Sequence, residues 1–105
     1  MVRLFTLLAV LVVGSSGLRA EGDIAYGEYL STACVTCHQL TGVDNGIPSI
    51  VGWDQKSFIT TLKAYRTKER DNPVMRMITA PMTDEEMESL AAYFATIKPV
   101  EPKAE

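Results

Sequence analysis

Residues 34–38 read Cys-Val-Thr-Cys-His and hold both cysteines and the only histidine of a 105-residue chain. Any fold must therefore keep Cys34, Cys37 and His38 within about one helical turn. It must also give the two thiols a local use, because no third cysteine exists to close a longer loop. Structural zinc wants four nitrogen or sulfur ligands, and this chain offers three, two of them adjacent. A redox dithiol of the thioredoxin type follows a strand in a βαβ unit. The flanks from Gly22 onward show no strand-like alternation. The spacing Cys-x-x-Cys-His is the attachment signature of c-type haem. Two thiols one turn apart each form a thioether to a vinyl group, and the following histidine comes under the ring as the iron ligand. One haem c, held covalently by Cys34 and Cys37 with His38 on the iron, is the expected cofactor.

The first twenty residues support that reading. A single charge at Arg3 precedes an apolar block from Leu4 to Val13, and small or polar residues follow at Gly14, Ser15, Ser16 and Gly17. This is the order of a secretory signal peptide. The block is half the ~20 residues that a membrane span needs. Cleavage is expected after Ala20, with Gly17 the alternative. The expected product, residues 21–105, is a single periplasmic domain with no membrane segment. Haem attachment in bacteria takes place outside the cytoplasm, so export and the motif belong together.

The ten basic residues of the chain, less Arg3 and Arg19, leave eight against thirteen acidic ones, a net charge of −5. That balance argues against a nucleic-acid partner, which wants a basic face. A domain of about 85 residues is marginal on core packing alone and needs a staple. Covalent haem supplies one.

Three helices are expected. Asp23 caps the first, which runs to Cys34 with Ile24, Gly27, Leu30 and Cys34 on one side. Gly27 costs ~1 kcal/mol in a helix, which suggests close approach of a second helix. Residues 41–54, rich in Gly, Asn, Asp and Pro, read as loop. A backbone carbonyl near Pro48 is expected to accept a hydrogen bond from His38 Nδ1–H and so fix the ring. Trp53 is expected to pack on the haem, to donate to a propionate, or to fill the core. The second helix spans Gln55 to Lys68 with a stripe of Phe58, Ile59, Leu62 and Tyr65. Its other face carries Lys56, Lys63, Arg66 and Lys68, with Arg70 and Arg76 following. That face is either solvated or a docking surface for an acidic partner. The last helix begins at the capping box Thr83–Glu86 with Asp84, Glu85 and Glu88 around its positive end. Leu90, Tyr93, Phe94 and Ile97 form its buried side, Pro99 stops it, and residues 99–105 are expected to be a mobile tail.

With one histidine, the second axial ligand falls to methionine, the usual partner in an electron-transfer haem. Met82 and Met87 have a structural role as a staple around the Thr83 cap. Met75 and Met77 lie in the connection Asn72–Pro81, and spacing does not separate them.

Taken together, these residues resemble the class I c-type cytochromes over nearly the whole exported chain. The pattern comprises Gly27 and Leu30 ahead of Cys34-x-x-Cys37-His38, then Ile47-Pro48-x-Ile50-x-Gly52, then Leu62-x-x-Tyr65-Arg66 with Arg70. Val74-Met75 and the final helix from Ser89 to Ile97 complete it. The resemblance implies an all-α cytochrome c fold, three to four helices around one haem, with Gly27 and Leu30 packed against Leu90 and Tyr93. It places the axial methionine eight residues before the cap of the last helix, at Met75. It is nearest to the haem subunit of flavocytochrome c sulfide dehydrogenase and other short bacterial carriers. Trp53 and Lys68 stand where those relatives commonly carry Gln and Gly. The implied function is one-electron transfer, with a flavoprotein sulfide dehydrogenase subunit as the redox partner. The alternatives are a free soluble shuttle and a ligand-binding or peroxidase-like haem protein.

Overall fold

The computed structural model describes residues 22–100 and Ala9. The leader expected over residues 1–20 and residues 101–105 of the tail lie, Ala9 apart, outside the described residues. Four helices follow in order: α1 (Ile24–Ser31), α2 (Gln55–Arg66), α3 (Pro73–Thr79) and α4 (Asp84–Ala95). No strand occurs among the described residues, and the fold is all-α, as expected of a cytochrome c.

Asp23 caps α1 by accepting from the Tyr26 N–H at 3.2 Å. The helix ends three residues before Cys34. Ser31 Oγ and Thr32 Oγ1 donate to the carbonyls of Glu28 and Tyr29, a local competition that weakens a helix end. Residues 32–38 continue as successive turns, in which the Cys34 carbonyl accepts from both Cys37 N–H (3.1 Å) and His38 N–H (2.8 Å). The motif is therefore wound on turns rather than on the helix itself.

α1 crosses α4 at Gly27. A Cβ there would collide with the Ser89 carbonyl and lie 2.8 Å from Tyr93 Cβ. The close approach is real, and its partner is the Ser89 backbone with Tyr93. Ile24 does not join that face and is 51 % exposed. The end of the crossing is closed instead by the Gly22 backbone, which sits against Glu88 and Ser89.

α4 is buried on more than one side, through Met87, Ser89, Leu90, Ala91, Ala92 and Phe94, because α1 and α2 both pack on it. Tyr93 and Ile97 are only partly buried. Thr83 Oγ1 caps it by accepting from Glu86 N–H at 3.2 Å, and the same hydroxyl lies 3.1 Å from Glu86 Oε1. Phe94 stacks on Phe58 of α2 with ring centroids 5.5 Å apart. Together with Val51, Leu62, Met87, Leu90 and Ala91 these rings make the core.

α2 is capped by Asp54, which accepts from Ser57 N–H at 3.0 Å. It stops at Arg66, two residues before the expected end, because Lys68 adopts φ 68° and reverses the chain. The stretch after it holds an element that the sequence analysis treats as a connection. Asn72 Oδ1 accepts from Val74 N–H (3.1 Å) and Met75 N–H (3.0 Å), Pro73 takes the first helical position, and α3 results.

The expected tail is fixed at its start: Val100 N–H donates to the Thr41 carbonyl at 3.0 Å. Most of the basic face is engaged with the fold. Arg66 donates to the Met82 carbonyl (3.0 Å) and to Asp84 Oδ1 (2.6 Å). Lys63 lies 3.7 Å from the same carboxylate, and Arg76 grips the α2–α3 turn. Lys56 and Lys68 make no ion pair among the described residues, and Lys63 stays half-exposed beside Asp84.

Candidate haem site

The turns of residues 32–38, the loop 46–53, α2 and α3 enclose a cavity of about 470 Å³. Cys34, Cys37 and His38 all line it. His38 is buried, and its Nδ1 lies 2.7 Å from the Pro48 carbonyl. A carbonyl can only accept, so Nδ1 carries the proton and donates. In the neutral imidazole that tautomer leaves Nε2 as the nitrogen with a lone pair, the form a metal ligand requires. The loop supplies this bond through its backbone, which answers the expectation for Pro48 directly.

Cys34 is half-buried and Cys37 exposed, and no disulfide joins them. Burial pushes the Cys34 thiol up from its ordinary value. A dithiol enzyme needs a thiolate nucleophile, hence a lowered value, so this environment disfavours that chemistry.

Trp53 also lines the cavity, edge-on to Phe58 at 6.2 Å between centroids. Its Nε1–H donates to the Ser49 carbonyl at 3.1 Å. The indole therefore contributes its ring, and its donor is occupied within the loop rather than held ready for a propionate.

Of the four methionines considered, Met87 is fully buried in the core, and Met77 is 68 % exposed and away from the cavity. Met75 lines the cavity from α3. Met82 lines it as well, and also packs on the core cluster that contains Met87. Spacing left Met75 open against Met77 and Met82; in the fold Met77 lies away from the cavity, while Met75 and Met82 both line it.

Two wall residues were not singled out as site residues. Among the described residues, Arg70 is the one lysine or arginine lining the cavity, and no carboxylate lines it. Its guanidinium carbon lies 5.3 Å from the centroid of the Tyr65 ring, also part of the wall, in a cation–π arrangement. Tyr65 shares the Phe58–Leu62 stripe, and that shared face was the available signal. A predominantly apolar chamber with two thiols, an oriented imidazole, thioether sulfurs and one cation fits an iron macrocycle with anionic side chains.

The profile of the Cytochrome c family matches residues 24–98. This chain belongs to the cytochrome c family. It is a class I c-type cytochrome with one covalently attached haem c. Among its relatives, a thiosulfate dehydrogenase electron acceptor of Thiomonas intermedia is 26 % identical over 96 residues, covering 89 % of this chain and 44 % of its own. One from Stutzerimonas stutzeri is 30 % identical over 92 residues, covering 81 % and 43 %. Cytochrome c-554(547) of Halothiobacillus neapolitanus is 32 % identical over 90 residues, covering 73 % of this chain and 99 % of that one. This cytochrome thus spans under half the length of the two thiosulfate dehydrogenase acceptors and nearly all of the third relative. None of these three is named for sulfide dehydrogenase, so the nearer resemblance drawn from sequence holds only approximately. No helix among the described residues is long and apolar enough to cross a membrane.

Proposed function

We propose that this cytochrome is an exported, periplasmic one-electron carrier with His38 and Met75 as axial ligands, taking electrons from an enzyme that oxidises an inorganic sulfur compound. The observation that carries the site is the 2.7 Å bond from His38 Nδ1–H to the Pro48 carbonyl, which orients a ring that lines one chamber with Cys34, Cys37 and Met75. When bound, the haem supplies a one-electron iron couple. The chain does the rest. Cys34 and Cys37 anchor the macrocycle, and the Pro48 carbonyl holds the imidazole in one tautomer and orientation. Ile47, Trp53, Leu62 and Ile78 exclude water. Arg70 provides the positive charge for the propionates. Methionine as second ligand raises the reduction potential. Were His38 and Met75 both to hold the iron, no position would be left for a substrate, and the oxidation chemistry would belong to a partner.

Two relatives named as electron acceptors of thiosulfate dehydrogenase support a sulfur-oxidising donor. The resemblance to flavocytochrome subunits suggests sulfide as the compound and a flavoprotein as the donor. Purification from the native organism at low salt, following haem absorption, tests both. A larger chain at constant ratio with bound flavin supports the sulfide-oxidising flavoprotein. A larger chain free of flavin that reduces the haem with thiosulfate supports the thiosulfate enzyme. A lone haem chain that neither substrate reduces in the extract refutes the sulfur assignment and leaves a general shuttle. The mass of the purified chain fixes the cleavage site, expected after Ala20.

A further inference from the structure

α3 carries Met75 and is a short helix. It has seven residues, too few to persist as a helix unaided. Of the other three helices, only α2 packs against it. Its Val74, Met75 and Ile78 side chains line the cavity, Met75 also packs on the core cluster, and Thr79 is fully buried.

The remaining ties are polar, and the most extensive runs through Arg76. Its side chain turns back over the α2–α3 turn. Nε donates to the Arg70 carbonyl at 2.9 Å and Nη2 to the Lys68 carbonyl at 2.7 Å. Nη1 pairs with Asp71 Oδ1 at 3.3 Å. One guanidinium thus engages three residues of a single turn, and a rigid planar fork is the side chain suited to that. Successive residues on a helix are about 100° apart. A grip on Arg76 therefore fixes the rotation of α3 about its axis, and with it the direction in which Met75 points.

We propose that Arg76 is the positioning residue for the second axial ligand, holding the Met75 sulfur toward the iron through its fork to the Lys68 and Arg70 carbonyls. This rests on Met75 being that ligand. A merely structural arginine would lower the stability of the whole domain. A positioning arginine loosens the Met75 end first.

The test compares two signals in a urea titration of the ferric holoprotein: the far-red charge-transfer band of methionine-ligated haem, and helical circular dichroism at 222 nm. In Arg76→Leu the band is expected to disappear at clearly lower urea than the helical signal, with the band-less population in buffer raised roughly tenfold, about the worth of one hydrogen bond to a charged group. Arg76→Lys keeps the charge without the fork and is expected to behave like Arg76→Leu. Glu69→Gln, at an exposed carboxylate of the same turn that Arg76 does not touch, is expected to leave the band unchanged. Loss of band and helix together in Arg76→Leu overturns the proposal, as does full recovery by Arg76→Lys. Should Arg76→Leu fail to mature, Arg76→Gln takes its place in the same comparison. Failure of the ligand assignment shows separately, as a band that survives Met75→Ala.

Discussion

Replacing Gly27 by alanine sets two opposing effects against each other, and the geometry decides between them. Alanine is the better helix former by ~1 kcal/mol. Against that, a Cβ at this position would overlap the Ser89 carbonyl oxygen and lie 2.6 Å from the Ser89 carbonyl carbon and 2.8 Å from Tyr93 Cβ. Ordinary carbon contacts begin near 3.5 Å, so α1 and α4 must part by roughly 1 Å, and a gap of that size forfeits about a quarter to a half of each contact it opens. The obstacle is backbone, not the end of a flexible side chain. The cost therefore falls at the upper end of the ~1–3 kcal/mol for overpacking. Net destabilisation of about 2 kcal/mol follows, a fall in Tm of about 8–16 °C for a domain this small. Thermal melting of the ferric holoprotein, followed at 222 nm, reads it. Gly46→Ala is the control: nothing lies within 4 Å of a Cβ there, and only its φ of +89° is strained, so about 1–2 kcal/mol is expected. A Gly27→Ala protein that melts at or above the wild-type temperature would show that propensity wins and that the helix crossing is looser than described.

Lys68→Gly relieves a left-handed backbone at φ 68° and is expected to stabilise the fold by about 1 kcal/mol, read as a higher urea midpoint; an unchanged midpoint would mean the turn carries no strain. In Asp84, the hydrogen bond from Arg66 and then the charge of Lys63 hold the carboxyl below its usual range. A depressed folded value stabilises at pH above the unfolded carboxylate value, about 4, and that stabilisation is lost as pH falls through the folded value. Asp84→Asn should therefore be less stable than wild type at neutral pH, with the difference vanishing in acid; equal melting temperatures across the pH range would contradict the pairing. Pro48→Ala removes a stiff residue, at about 0.4–1 kcal/mol, but keeps the carbonyl that receives His38 Nδ1–H. The Nδ1 proton resonance should persist in NMR, and its loss would show that the ring, not the carbonyl, holds the histidine.

Features resting on near neighbours in the chain were legible. Asp23 and Thr83 announce their helices through side chains that reach three residues ahead, and Cys34, Cys37 and His38 meet because one turn joins them. α3 was not legible: seven residues are too few to display a helical period, and Asn72-Pro73 reads equally as a turn or as a cap with its first helical residue. The partners of the basic face were not legible for a different reason. Arg66 bonds a carbonyl and a carboxylate 16 and 18 residues away, and Arg76 bonds backbone oxygens that carry no trace in residue identity. Met75 and Met77 sit two positions apart in one segment, so only the rotation of α3 could distinguish an inward sulfur from an outward one. The Thr79 carbonyl accepts the Met82 N–H at 3.0 Å in a local turn, but that the turn brings Met82 to the cavity wall is a tertiary fact.

The far-red ferric band tests the central claim most directly, measured in the wild type and in Met75→Ala, Met77→Ala and Met82→Ala. Each protein is first shown by intact mass to carry one covalently bound haem. The account predicts the band in the wild type and its loss in Met75→Ala alone, together with a lowered reduction potential. A band that survives Met75→Ala and vanishes in Met82→Ala would move the ligand to the other methionine of the cavity. A wild-type chain without covalent haem would contradict the account at its root.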